Sequence, residues 1–499
     1  MKHVRTVSVV VIVMMLITSL TAYAGPPVPG TGNTNVVVMN TGSATAAVVA
    51  EYINPSGAVE ATKSANVNAK GSYEFRAADS GLGDNWAGSM ILSGDQDLTA
   101  VGYTVYSGGS ATDGLTGSAY SGFPEGATTI YLPSLFQRPT AQYSRITVQN
   151  MDTGTADIQI FYYNRFGQAY AGNPVTDSIP EGAQKTYDLS QKGVGKVPDL
   201  GITNPPGDGW IGSARIVSSN GKKIGAVAST FWPEYSSAYE SAASGSTTLF
   251  FSSISRRKLA GQDWVQFSGT IIQNLSATNT ANVTGRITDR NGVEKFSFTI
   301  QIPPLAAKGF NTRFAASDWP DYNAFLAALG ISAPPNDFSD FNGAIWFQSD
   351  QPIAGVTDMQ WKRAGEEAVN SYRGESAGGT NLYFASVYRI KVGNWVAPSR
   401  YTALNIYNAD AANAANITVR FYNRAGTQVH SFNAVVPPRS AKGYNTRFNA
   451  DTPDPAALFA ALGDNFQGAV YITSDRPVIG ITQETTVGQD VDSYNGYVK

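Results

Sequence analysis

The chain has 499 residues, 42% hydrophobic and only 15% charged, with a net charge of −3 and no cysteine. That balance leaves no footprint for nucleic acid and no polybasic membrane signal, and without disulfides stability must come from packed cores. Gly, Ser, Thr, Asn, Tyr and Val abound while long Glu, Lys and Leu runs are missing, which suits short strands and many turns.

The first element reads as a leader. Lys2 and Arg5 precede an apolar run from Val7 to Leu20, and Ala22-Tyr23-Ala24 then forms an A-x-A cleavage site. The run is too short and wrongly flanked for a membrane span, and no later stretch reaches the roughly 20 apolar residues that a span needs. The expectation is a signal peptide over 1–24 and a mature chain from Gly25, secreted or held at the cell surface, with no transmembrane segment.

Beyond the leader, four segments line up. Each holds an apolar strand ending in asparagine, at Asn40, Asn150, Asn274 and Asn408, followed by a second strand that runs into an Asx-x-x-Gly turn. These turns span Asn54–Gly57, Asn164–Gly167, Asp289–Gly292 and Asn423–Gly426, and the Asn-to-Gly separations are 17, 17, 18 and 18 residues. The first side chain of such a turn bonds its own backbone and the glycine takes the left-handed conformation of a tight hairpin.

Further along come "WAGSMILS", "WIGSARIVS", "NGAIWFQS" and "QGAVYITS", each followed by a last strand. In these last strands Leu98, Ile224, Ile353 and Val478 align as one core site, and Val101, Val227, Val356 and Ile481 as another. Between modules a tyrosine-led linker, Tyr-x-Gly at Tyr120 and Tyr372, keeps a strict metric: Tyr120 to Tyr131, Tyr239 to Phe250 and Tyr372 to Tyr383 are each 11 residues apart. The third and fourth segments share a helix-like insert, with Asp454 and Pro455 at its start and Gly463 just past its end.

These elements predict an all-β fold of four tandem immunoglobulin-like β-sandwich modules, each of about seven strands, joined into a semi-rigid rod. The boundaries fall at 25–117 for the first module, which lacks its opening strand, then 118–236, 237–370 and 371–486, with a linker-like tail over 487–499. An outer-membrane barrel is the architectural alternative, and the long repeat with its helical inserts argues against it.

Chemistry-bearing motifs are few. "GESAG" at Gly374–Gly378 has the letters of a hydrolase nucleophile elbow, but a strand rather than a helix follows it, and His430, the single histidine after the leader, lies on a β-strand. Ser376 is therefore read as a linker residue, with a serine hydrolase as the remote alternative, and the chain is expected to be no enzyme. Asp95 with Asp97, Asp490 with Asp492 and Asp289 with Glu294 are the carboxylate pairs calcium would use, yet none has a full ligand set. No cofactor is expected, and calcium is the only candidate. Phe161, Tyr162, Tyr163, Trp361 and the linker tyrosines, including Tyr494, are the candidate binding aromatics. Against that, Tyr162 fits the core alternation and the linker tyrosines suit seams between modules.

With the linker, the T-T-x-Y/F strand, the N-x-x-G hairpin and the G-S/A strand placed, the chain resembles the tandem β-sandwich repeat proteins secreted by some filamentous bacteria. The likeness spans nearly the whole mature chain. It implies a surface or fibre protein and brings no established activity.

The function expected is thus structural or adhesive, through self-association or a cell-surface or extracellular-matrix partner. A carbohydrate- or protein-binding adhesin is the alternative. One sharper expectation concerns assembly: a tail containing Tyr494, Gly496 and Tyr497 docks beside Asn35 and Val37 on the first module of the next molecule, giving fibres.

Overall fold

The computed structural model describes residues 8–11, 31–84, 86–107, 115–138, 141–202, 209–232, 235–261, 264–315, 317–332, 334–363, 366–488 and 490–499. The A-x-A site at 22–24 and the mature start at Gly25 lie outside the described residues. The fold is all-β in character, with two short α-helices among the described residues, Tyr322–Ala328 and Pro455–Leu462.

The second repeat shows the common plan. Its sheet runs Val175–Ile179, Ala156–Asn164, Trp210–Ser218, Thr129–Arg138, Gln142–Asn150, Ile224–Phe231 and Ser236–Glu240, and Gln184–Asp188 adds to Gln142–Asn150. The opening strand Thr129–Arg138 pairs along Trp210–Ser218 and then, through Gln137 and Arg138, with Gln142–Asn150. It thereby stitches two strand layers into one hydrogen-bonded sheet. The third and fourth repeats follow the same order, their opening strands being Ser246–Lys258 and Gly379–Ile390, and the two late strands of each merge into Ser339–Arg363 and Asn465–Thr486.

The first repeat differs. Its strands form two separate sheets: Ser8–Val11, Ser89–Gly94, Ala46–Ile53 and Val59–Val67 in one, and Ser72–Phe75, Thr31–Asn40, Leu98–Ser107 and Leu115–Ser121 in the other. The place of the opening strand is taken by Ser8–Val11, from the apolar run near the N-terminus, paired antiparallel with Met90–Ser93. Nothing stitches the two layers among the described residues.

The repeated asparagines explain the shared geometry. Asn40, Asn150, Asn274 and Asn408 are each fully buried at a strand end. In each the side-chain amide donates to the carbonyl of a following turn residue and to one across the unit, as Asn40 does to Ala44 O at 2.7 Å and Val67 O at 2.8 Å. Its Oδ1 accepts the backbone N–H two residues on. One side chain thus closes a turn and fastens the next strand, satisfying backbone groups that burial would otherwise leave unpaired.

The Asx turns hold as read: in each, the first side chain accepts a backbone N–H four residues ahead, and Gly57, Gly167, Gly292 and Gly426 have φ of 91°, 84°, 82° and 82°. The two aligned core columns are also buried throughout. The helix Pro455–Leu462 is capped by Asp454, whose carboxylate accepts Ala457 N–H at 2.9 Å, with proline in its first turn and Gly463 at its end.

Two expectations are corrected by strand pairing. The tyrosine-led segments are not linkers but the last strands of the units before them. Leu115–Ser121 pairs with Leu98–Ser107, Ser236–Glu240 with Ile224–Phe231, Glu366–Arg373 with Ser339–Arg363, and Asp490–Asn495 with Asn465–Thr486. Boundaries therefore fall after these strands rather than before them. Nor is the chain a rod, because the fourth unit packs against the first and the units close into a ring.

Candidate functional site: the seams of the ring

Each seam is built by the same two contacts. The first is the Asx hairpin of one unit pressed on a proline-containing or glycine-containing loop of the next. A Cβ on Gly167 would meet Pro304 O, one on Gly292 would meet Pro438 O, one on Gly426 would meet Ala69 O, and Gly57 faces Pro180. The backbone continues the joint, with Ala307 N–H donating to Arg165 O and Ser72 N–H to Arg424 O, both at 3.1 Å. Fourth meets first as second meets third.

Three of these hairpins carry an arginine at their second position, and each reaches an acid of the following unit. Arg165 pairs with Asp318 at 2.7 Å, Arg424 with Glu74 at 2.8 Å, and Arg290 with Asp451. The first hairpin has Pro55 there and no such ion pair. The repeated arginine in "NRFG", "DRNG" and "NRAG" was the signal for this contact, and a turn-based reading of those motifs passes over it.

The second contact is a meeting of the four inner strands. Ser236 donates to Gly117 O at 3.1 Å, Ser121 N–H to the Glu240 carboxylate, and Gly117 N–H to Asp490. Ser371 Oγ lies 2.7 Å from Ser237 Oγ and 2.5 Å from Asp358 Oδ1. Asn495 exchanges hydrogen bonds with the Arg373 backbone, and Ser121 donates to Asn495 O at 2.8 Å.

Their tyrosines are buried and do a defined job. The hydroxyls of Tyr239, Tyr372 and Tyr494 each donate to a carbonyl and accept an N–H of one serine, Ser134, Ser253 and Ser386 respectively. Each serine belongs to a two-residue bulge in its unit's opening strand, where the register skips. The tyrosine thus satisfies the backbone groups that the bulge releases.

The tail is placed by the same rule. Asp490–Asn495 is the inner strand of the fourth unit, and Tyr497 pairs with Tyr383 as Glu375 pairs with Phe250 and Ala242 with Tyr131. Tyr494 is buried and sits edge-on to Tyr103 of the first unit at 6.2 Å, Lys499 pairs with Asp97, and Val37 belongs to the buried cluster that spans both units. Asn35 bonds Glu74 and Ala77 within its own unit. In this chain Gly496 and Tyr497 lie against the opening strand of their own fourth unit, and Tyr494 alone of the three expected docking residues meets the first unit, through Tyr103.

Closing the seams buries charge. Asp358, at the floor of a groove between second and third units, is pushed up to about 6 by burial, partly relieved by Ser371. Glu484 and Asp492, cross-strand neighbours at the fourth–first seam, are raised by burial against the pull of Arg400, which stacks on Tyr388 at 3.8 Å. Glu240 is raised by burial, with Arg373 and Ser121 opposing.

A carboxyl whose folded pKa lies above its unfolded value binds more protons folded than unfolded, so its stabilising contribution is full below pH 4 and is lost as pH rises through the folded value. Asp358→Asn is therefore expected to leave stability near pH 4 unchanged and to raise it at pH 8 by about 1–2 kcal/mol, discounted for partial opening to the groove. Urea titrations at the two pH values check this; equal effects at both exclude the cause.

Two seams also carry matching grooves. Between third and fourth units a groove of about 260 Å³ is lined by Trp361, Tyr401, Phe448, Arg257, Arg290 and Asn445. Between second and third units one of about 450 Å³ holds Trp232, Phe267, Phe314, Arg138, Arg165 and Asn311 in the corresponding places. Aromatic faces beside planar amides and guanidiniums can stack on a ring and hydrogen-bond its edge.

The remaining candidates have other places. Ser376 is exposed and leads into the strand Gly379–Ile390, without the helix an elbow needs. His430 is half-buried between Phe421 and Phe432, and burial lowers its pKa. Asp289 serves its turn and pairs with Lys295, Glu294 pairs with Arg286, and Asp95 accepts Ala47 N–H. Among the described residues no group of three or more His, Cys, Asp or Glu is arranged to hold a metal ion, and no helix is long and apolar enough to cross a membrane. Tyr162 is fully buried in the core, as are its aligned partners Tyr52, Ile287 and Phe421.

No known family model matches the chain, and no curated protein matches it. Among solved structures it is similar to Thermotoga maritima 1070, at 11% identity over 26% of this chain and 94% of that one with a TM-score of 0.19. It is also similar to the Anabaena sensory rhodopsin transducer, at 22% identity over 22% of this chain and 91% of that one with a TM-score of 0.17.

Proposed function

We propose that the chain is a secreted, non-enzymatic structural or adhesive protein of the cell surface or extracellular space, built of four immunoglobulin-like sandwiches of the kind repeated in tandem proteins of filamentous bacteria. The observation that carries this reading is where the polar side chains go. The repeated arginines and the inner-strand serines join units, while the repeated asparagines and inner tyrosines fasten turns and bulges inside them, which suits a rigid platform rather than a reaction centre. The basic, apolar and A-x-A order of residues 2–24 supports export.

The test is fractionation of the native cells with N-terminal sequencing of the recovered protein. The expected result is an extracellular or surface-bound chain beginning at Gly25; a cytoplasmic chain retaining Met1 overturns the reading. The paired grooves favour a second reading, capture of a ligand with ring-shaped faces such as a glycan or an aromatic-bearing protein segment. Under it, a ligand found by glycan or matrix-protein arrays shifts the thermal transition, and the shift is lost in Trp361→Ala with Phe448→Ala.

A further inference from the structure

We infer that the first unit, once residues 1–24 are removed, carries an open strand seat along Met90–Ser93 that takes an extended segment of a separate partner polypeptide. The inference rests on the proposed reading of those residues as a cleaved leader.

Three features define the seat. First, Met90–Ser93 pairs with Ser8–Val11, in the place that Thr129–Leu132 takes beside Ala214–Val217 in the second unit. Cleavage removes this strand and frees a row of backbone donors and acceptors on an edge whose Met90 and Leu92 are buried in the core. Second, among the described residues the first unit alone consists of two unstitched sheets. An opening strand joins the layers in the other three, with the merged late strand joining them as well in the third and fourth. Third, Tyr120 occupies the position of Tyr239, Tyr372 and Tyr494 and is buried to 2% exposure, yet among the described residues its hydroxyl has no hydrogen-bond partner. Its counterparts each hold a strand bulge. A buried, unpaired hydroxyl is costly, so a strand that supplies the bulge is favoured over water-excluded vacancy.

The same comparison gives the donor's chemistry. The three opening strands read "TTIYLPS", "TTLFFSS" and "TNLYFAS" over 128–134, 247–253 and 380–386. Their third and fifth residues, Ile130 and Leu132, Leu249 and Phe251, Leu382 and Phe384, point into the cores, and the seventh is the serine that the tyrosine grips. A donor must therefore be extended and uncharged, apolar at alternate positions and small at the bulge. In a folded copy of this chain the opening strands of the second, third and fourth units are already seated, which assigns the donor to a different polypeptide. Main-chain pairing supplies the affinity and the alternate side chains the selectivity, as in β-augmentation generally.

The probe is a synthetic peptide of residues 127–138, titrated into the chain starting at Gly25 and into the full-length chain. The expected result is one peptide bound per chain from Gly25, at least about tenfold more weakly bound by the full-length chain, whose seat is filled. Tyr120→Phe should weaken binding about fivefold, the equivalent of one hydrogen bond, while Tyr239→Phe leaves it unchanged. Absent binding, equal binding by both chains, or a self-associated Gly25 chain that the peptide disperses overturns the inference, the last by giving the seat to a second copy. N-terminal sequencing separates the two levels: a native chain beginning at Gly25 that ignores the peptide sinks the seat alone, whereas one retaining Met1 sinks the leader reading and the seat with it.

Discussion

A chain ended at Val487 is expected to lose about 5 kcal/mol from its fourth unit, lowering that unit's melting transition by on the order of 10–20 °C. The deleted segment contains Val491 and Tyr494, both buried, and each fully buried side chain of this size contributes about 1.5–3 kcal/mol. It also contains the hydroxyl that holds the Ser386 bulge and the Asn495 amide that bonds Arg373 O and Glu375. Loss of these leaves buried groups unpaired, at about 1–3 kcal/mol each. Because the same segment carries the contacts to Gly117, Ser121 and Asp97, the fourth–first seam should loosen with it. Calorimetry with small-angle scattering reads both effects, a displaced transition and a larger radius of gyration. An unchanged melt with unchanged dimensions shows that the inner strand does not hold the ring.

Arg256→Ala should cost about 3–5 kcal/mol, because it removes a fully buried guanidinium and leaves the buried Asp337 carboxylate with Lys258 as its remaining charged partner. Arg256 is fully buried, and its guanidinium donates to Thr312 O at 3.0 Å, Asp337 O at 2.9 Å, Ser339 Oγ at 2.7 Å and Asp337 Oδ2 at 2.5 Å. It also lies 4.8 Å from the centre of the Trp264 ring. It therefore fastens the segment that carries the helical insert to the opening strand of the third unit. Hydrogen bonds from Arg256 and Lys258 hold the Asp337 carboxyl below its usual range against burial. The double variant Arg256→Met with Asp337→Leu should recover most of the loss, since it removes charge and partner together. Denaturant unfolding of both variants is the measurement, and a single variant as stable as the parent rules out the role.

What was legible in the sequence was local. The Asx turns, the two core columns and the Asp454 cap depend on residues within a few positions of each other, and alternation or spacing exposes them directly. The inner strands escaped notice for a physical reason. Ser118-Ala119-Tyr120 and Ser237-Ala238-Tyr239 are small and polar, and they are buried in a polar seam rather than on an apolar face. No alternation marks them, so they read as linker. Ring closure was further from view, because it rests on single side chains such as Arg165, Arg290 and Arg424 whose partners lie a whole unit away. Recurrence of a unit carries no information on whether the last meets the first.

The chain crosses three of its seams covalently, and the fourth, between Asp490–Lys499 and the first unit, is held by contacts alone. Tyr497 pairs with its own unit's opening strand as Ala242 and Glu375 do, so in this pairing the unjoined seam matches the joined ones. The molecule is in this sense a bracelet whose clasp is one more link. A circular permutant that ties the two ends together and is cut instead between Gly122 and Ala127 should assemble the same ring.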